Sequence, residues 1–231
     1  MPRLSIIIPV LEEGATIADA LAALAPFRAR GAEVIVVDGG SRDGTVEAAR
    51  LLADQVIAAP RGRGSQMNAG AAAAQGDVLL FLHADTRLPP EADRLVVDAL
   101  TRTQRAWGRF DVTIAGRSPF LRVVAATMNL RSRLTGITTG DQAMFMTREA
   151  FVRAGGFPDI ALMEDIVMSR RLKAVSPPAC LRARVTTSGR RWDRDGVVRT
   201  ILMMWRLRFA FFLGAEPARL ARHYGYGVRD A

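Results

Sequence analysis

The stretch Asp77-Val78-Leu79-Leu80-Phe81-Leu82-His83-Ala84-Asp85-Thr86 constrains this chain more than any other. Five consecutive apolar residues end in an imidazole and a carboxylate. That is the pattern of a strand buried on both faces that holds polar groups out at its carboxyl end. A side-chain period of two would point His83 and Asp85 to the same side, where they could hold a metal or another polar ligand. Taken alone, Asp85 could equally cap the helix that begins near Pro90.

The stretch is one of a series. Leu4 to Val10, Glu33 to Asp38 and Gln55 to Ala59 read as strands, the first two largely apolar and the second ending in a carboxylate. Between them Gly14 to Phe27, Thr45 to about Ala53 and Gln66 to Ala74 read as helices. Four strands alternating with three helices imply a parallel sheet with right-handed crossovers. In open sheets of this kind ligands bind outside the carboxyl ends of the strands. Glu12, Asp38 and the His83/Asp85 pair all fall at such ends, so these acidic positions converge on one site.

The 231 residues can bury a full core, and we expect one domain in three parts: a nucleotide-binding half (1–86), an acceptor half (87–195) and a C-terminal helical segment (196–231). The net charge of +9 comes almost wholly from arginine, Lys173 being the sole lysine. Arginine suits phosphate groups or an anionic membrane surface. Its scattered placement, with little aromatic interleaving, argues against nucleic acid as a partner. With Cys180 as the sole cysteine no internal disulfide can form, and a reducing cytoplasm is expected. Leu4 to Leu11 is too short for a signal peptide, and no run is apolar enough to span a bilayer.

A dinucleotide-binding unit needs a glycine-rich turn directly after the first strand. That place holds Leu11-Glu12-Glu13-Gly14, whose carboxylates repel phosphate, and no phosphate-binding GxxxxGK[ST] motif exists. Carboxylates at the strand ends instead suit a base, a ribose and a divalent metal, with Arg61 or Arg63 on phosphate.

At this level of detail the motifs become specific. Ser5-Ile6-Ile7-Ile8-Pro9-Val10 with Glu12-Glu13, Val36-Val37-Asp38-Gly39-Gly40-Ser41 with Asp43-Gly44-Thr45, Asn68-Ala69-Gly70 and Phe81-Leu82-His83-Ala84-Asp85 resemble family 2 glycosyltransferases of the GT-A fold. Gly155-Gly156-Phe157-Pro158 and Glu164-Asp165 with Arg170-Arg171 continue the resemblance, which covers residues 4 to about 213. Gly140-Asp141-Gln142, Leu162-Met163-Glu164-Asp165 and Thr187-Ser188-Gly189-Arg190-Arg191-Trp192 are similar to a bacterial subgroup labelled arsenosugar-biosynthesis glycosyltransferases.

The resemblance implies an α/β fold with a mostly parallel sheet flanked by helices. It also implies an inverting, hexosyltransferase-type enzyme that moves a sugar from a nucleotide-diphosphate donor, most simply a UDP-sugar, to a small-molecule or lipid-linked acceptor. It would set Pro9, Glu12 and Asp38 around base and ribose, and make Asp85 the last carboxylate of the metal motif holding Mn²⁺ or Mg²⁺. His83 stands where the first carboxylate of that motif usually is, and imidazole suits Mn²⁺ or Zn²⁺ better than Mg²⁺. Asp165 would be the general base and Glu164 an orienting group, although the pair also reads as an ordinary acidic helix start. Arg63 and Arg191 would meet the diphosphate and Trp192 a sugar ring. The altered metal motif keeps open a nucleotide-sugar-binding or peripheral membrane protein without turnover.

Further along, Pro90 to Leu100, Phe120 to Arg133 and Arg148 to Ala154 read as helices, and Trp107 to Ile114 and Ala143 to Met146 as strands. Asp141 and Trp107 are lesser acceptor candidates. Val197 to Leu213 is apolar, aromatic and broken by Arg199, Arg206 and Arg208. It suits a helix packed on the domain or one lying on the inner face of the cell membrane with snorkelling arginines. The tail from Glu216, with His223, Tyr224 and Tyr226, reads as peripheral, with His223 a candidate late metal ligand.

Overall fold

The computed structural model describes residues 2–225, so Tyr226 and the rest of the tail lie outside the described residues. Eight strands form one mixed sheet: β1 (Leu4–Val10), β2 (Glu33–Asp38), β3 (Gln55–Ala58), β4 (Val78–Phe81), β5 (Thr86–Arg87), β6 (Trp107–Ala115), β7 (Phe145–Thr147) and β8 (Ala179–Ser188). Their order is β3-β2-β1-β4-β7-β6-β8-β5. Pairing is parallel from β3 through β4 and between β6 and β8. It is antiparallel at β4–β7, β6–β7 and β5–β8.

The helices are α1 (Ile17–Ala22), α2 (Ala25–Ala29), α3 (Thr45–Arg50), α4 (Arg63–Ala73), α5 (Ala92–Thr103), α6 (Leu121–Thr135), α7 (Arg148–Arg153), α8 (Glu164–Lys173), α9 (Arg190–Asp195), α10 (Val197–Phe212) and α11 (Pro217–Tyr224).

The pleat sorts the central strands onto two cores. Ile6, Ile8, Val10, Val34 and Val36 face one layer, with Ile17, Leu21, Val96 and Leu121. Ile7, Ile35 and Val37 face the other, with Met67, Ala71 and Phe157. Covered on both sides, β1 and β2 read as continuous apolar runs, as strands buried on two faces do. The Asn68-Ala69-Gly70 motif serves this packing. A β-carbon at Gly70 would lie 2.4 Å from Ile7 Cγ2 and 2.9 Å from Val37 Cγ2, so α4 seats directly on the sheet. Gly70→Ala is therefore expected to cost about 1–3 kcal/mol in denaturant unfolding, the usual cost of overpacking.

Two expectations are corrected, and a strand the sequence left unassigned is added. The helix read from Gly14 to Phe27 is two short ones, because Pro26 lacks an N–H and occupies the first turn of α2. Strand β8, unassigned in the sequence, pairs along β6. Its alternation is blurred by Arg182 and Arg184 and by a register shift at Phe110/Asp111, where the buried Asp111 meets Arg109 and, at 2.7 Å, Arg133. The tail is not peripheral as far as Gly225. Leu220 and Ala221 of α11 are buried in a third core with Leu162, Met163, Ile166 and Leu207.

Candidate active site

Two cavities open beside the carboxyl ends of β1 and β4. The larger, of about 920 Å³, is lined by Pro9, Val10, Leu11 and Glu13 after β1, Asp85 in the turn after β4, and arginines 61, 63, 190, 191, 194 and 222. The smaller, of about 310 Å³, holds His83, Gly140, Asp141, Glu164 and Asp165, and α6 and α10 wall its far side. Arg63 lines both. Adjacent residues of α9 divide between them, Arg191 to the larger and Trp192 to the smaller. Tyr224 of α11 closes the partition, the Arg191 guanidinium sitting 3.9 Å from its ring centroid in a cation–π contact.

Several side chains hold the larger cavity in shape. The buried Gln66 amide donates to the carbonyls of Val10 and Val37, 2.8 Å each, pinning two strand ends together. Asn68 donates to the Phe157 carbonyl at 2.9 Å and accepts from its N–H at 2.8 Å, so the Gly155–Pro158 turn is tied to α4. Asp38 accepts from the N–H groups of Gly40 (2.9 Å) and Ser41 (3.1 Å). Glu12, in a left-handed backbone at φ 55°, accepts from the Arg42 N–H at 2.8 Å. Neither carboxylate lines the cavity itself: both are engaged in the turn after β2, Asp38 paired with the lining residue Val10 and Glu12 between the lining residues Leu11 and Glu13. Pro9 and Asp85 line the cavity itself.

His83 and Asp85 do not share a side. Strand β4 ends at Phe81, and the chain turns so that the Thr86 N–H donates to the His83 carbonyl at 3.0 Å. The pleat that would align the two side chains is gone before they are reached. Asp85 faces the larger cavity, accepting from the hydroxyls of Thr86 (3.3 Å) and Thr187 (3.4 Å). His83 faces the smaller, its Nδ1 3.4 Å from Asp141 Oδ1. Desolvation pushes the Asp141 carboxyl up, but the hydrogen bond and charge of His83, with Arg63 and Arg191, outweigh it and hold it below its ordinary value. A β-carbon at Gly140 would lie 2.4 Å from His83 Nε2, which explains the glycine of the Gly140-Asp141-Gln142 motif.

Asp165 stands in the first turn of α8. Met163 before it takes φ 72°, a strained conformation for methionine that swings the two acids into the cavity wall. Asp165 accepts from the N–H of Gly140 (3.0 Å) and of Ile166 (2.7 Å). Burial, then the neighbouring Glu164, push its pKa up to about 7 against those bonds and the charge of Arg63. A carboxyl balanced near neutral pH in a cavity is suited to taking a proton. Arg131 of α6 lines the same cavity with Nε and Nη2 buried and without hydrogen-bond partners. Burial lowers its pKa, Asp165 raises it and Arg109 lowers it further.

Residues 5–156 match the family described as glycosyl transferase family 2. The chain belongs to that family. Among solved structures this family 2 chain is similar to the mannosyltransferase PcManGT of Pyrobaculum calidifontis, determined with GDP-Man and Mn²⁺. Identity is 21% and the TM-score 0.65, over 100% of this chain and 65% of that one. It is also similar to TarS 1-349 of S. aureus, at 18% identity and a TM-score of 0.64 over 81% and 60% of the two chains. A third is glucosyl-3-phosphoglycerate synthase of Mycobacterium tuberculosis with Mn²⁺, UDP and glucosyl-3-phosphoglycerate, at 19% identity and a TM-score of 0.60 over 80% and 71%. These likenesses show a shared GT-A fold, and the chain spans less than two thirds of the first two structures. No curated protein matches it significantly.

Two sequence candidates leave the site. Trp107 of β6 is fully buried in the core, its Nε1–H donating to the Ser176 carbonyl at 2.8 Å. His223 is exposed on α11, its Nδ1 2.9 Å from the Arg219 carbonyl one turn back, and it lines neither cavity. Gln66, Arg131 and Tyr224 line the two cavities, and sequence reasoning did not single them out for the site. An amide or a guanidinium on a helix gives no sign of what it will face, whereas Asn68 was marked by its motif.

Proposed function

We propose that this glycosyltransferase moves a sugar, with inversion, from a nucleoside-diphosphate donor in the larger cavity to an acceptor hydroxyl in the smaller one. One observation carries the reading. An arginine-walled cavity at parallel strand ends adjoins, through Arg63, a second cavity holding a carboxyl balanced near pH 7. Arginine forks suit a diphosphate. Pro9, with Glu12 and Asp38 beside it, frames the base and ribose end, while Arg63 and Arg191 meet the phosphates. Trp192 offers an indole face to a sugar ring at the partition.

Among the described residues no group of three histidine, cysteine or acidic side chains forms a metal cage. Three carboxylates, Glu13, Asp85 and Asp159, line the larger cavity, and Asp85, just past the end of β4, would hold a hard divalent ion such as Mg²⁺ or Mn²⁺ beside the diphosphate. Such an ion, when bound, neutralises charge on the leaving diphosphate. The Mn²⁺ in PcManGT and in the glucosyl-3-phosphoglycerate synthase supports this assignment.

As the acceptor oxygen attacks the anomeric carbon, its proton passes to Asp165, and the bond from that carbon to the diphosphate oxygen breaks on the opposite face. Glu164, buried beside Asp165, raises its basicity. The His83–Asp141 pair, held by Gly140, lines the acceptor side. The arsenosugar subgroup assignment rests on motifs alone and names no acceptor.

Calorimetric titration of UDP, with GDP and NAD as controls, tests the donor site. UDP binding that strengthens with Mn²⁺ is expected. NAD binding, or UDP binding indifferent to metal, would reject it. UDP binding without turnover, given Mn²⁺ and a range of acceptors, would return the non-catalytic alternative.

A further inference from the structure

Helix α10 is packed against the domain by one face, with Thr200 and Leu207 buried and Val197, Met203, Ala210 and Phe211 partly buried beside them. Val198, Leu202, Trp205, Phe209 and Phe212, spaced four and three apart, are between 55% and 70% exposed and form one stripe. Beside it Phe120, Val123, Leu130 and Leu134 are exposed on and before α6. Both helices wall the smaller cavity, and Val123 and Trp205 belong to the cavity lining and to the exposed surface alike. A contiguous apolar surface at a cavity mouth marks a contact site.

The charge around this surface is of one sign. The two helices carry no acidic residue; Arg122, Arg199 and Arg206 are exposed on them, Arg133 is exposed and paired with Asp111, Arg208 is half-buried, and Arg131 turns into the cavity. At 100° per residue Arg199 and Arg206 lie along one flank of the α10 stripe and Arg208 along the other. Arg170 of α8 adds a guanidinium 4.8 Å from the Phe212 ring centroid. Apolar side chains between flanking arginines suit the boundary of an anionic bilayer, the stripe entering the acyl region while guanidinium groups reach the headgroups. No helix among the described residues is long and apolar enough to cross a membrane, so the contact lies on the surface. A second copy fits less well, because its own arginine flanks and the net charge of +9 would repel.

We propose that the α6–α10 face docks on an anionic lipid surface and sets the mouth of the smaller cavity at the bilayer interface. If the proposed function holds, an acceptor anchored in that bilayer reaches Asp165 without leaving it.

Flotation of the full chain with phosphatidylglycerol-containing vesicles, against pure phosphatidylcholine, tests the docking. Co-flotation with the anionic vesicles at low salt is expected, falling about tenfold or more in the Leu202→Glu/Phe209→Glu double variant. UDP binding by that variant should be unchanged, which checks its fold. Absence of flotation, equal flotation of the variant, or a dimer in light scattering that these substitutions dissolve would overturn the proposal. Flotation does not read the nucleotide, so failure of the donor assignment would show separately in calorimetry.

Discussion

Replacing Asp165 with asparagine is expected to lower kcat by about 10²- to 10⁴-fold, the usual contribution of a positioned general base, while UDP binding persists. Asparagine keeps the shape and an acceptor oxygen for the Gly140 or Ile166 N–H but cannot take a proton. The wild-type pH profile adds an independent reading. With the carboxyl pushed up to about 7, kcat/KM should rise as pH increases through 7.

Stability should move the opposite way. A carboxyl whose folded pKa exceeds its unfolded value stabilises the fold at low pH, and that contribution is lost as pH rises from about 4 through 7. The Tm difference between Asp165→Asn and wild type should therefore shift in favour of the variant across that window. A variant with full turnover, or a Tm difference independent of pH, would remove Asp165 from the proposed role.

Asp85→Ala is expected to weaken UDP binding in Mn²⁺ by about a hundredfold, and to leave binding in excess chelator near the wild-type level. The loss belongs to the ion's hold on the diphosphate, since the arginines that line the cavity remain. His83→Ala is the informative partner. Because His83 faces the smaller cavity and Asp141, its removal should leave metal-dependent UDP binding nearly intact and raise the acceptor KM. Equal loss of metal-dependent binding in both variants would make His83 a ligand after all. Loss in neither would mean that the ion is held elsewhere.

The course of the chain through the first 86 residues was legible because its determinants are local. Apolar runs covered on two faces are strands, the spacing between them leaves room only for crossover helices, and the strand ends then share one edge. Asp85 was singled out in this way, and Pro9 and Asp165 only through the family resemblance. The helix break at Pro26 was legible in principle, since proline removes a donor wherever it stands.

Direction and environment were not legible. The period of two predicted that His83 and Asp85 point together, and it failed because a turn ended the strand two residues before His83. The near-neutral carboxyl of Asp165 follows from burial and from Glu164 beside it, and how far Asp165 is buried depends on the helices walling its cavity, which are distant in sequence. The outward stripe of α10 also needed the fold, because an apolar helix can spend its surface on the domain or leave it exposed. Sequence thus determined which groups could meet at the edge of the sheet. Only tertiary packing decided which cavity each one faces and how tightly each holds its proton, because desolvation and side-chain direction are set by neighbours far away along the chain.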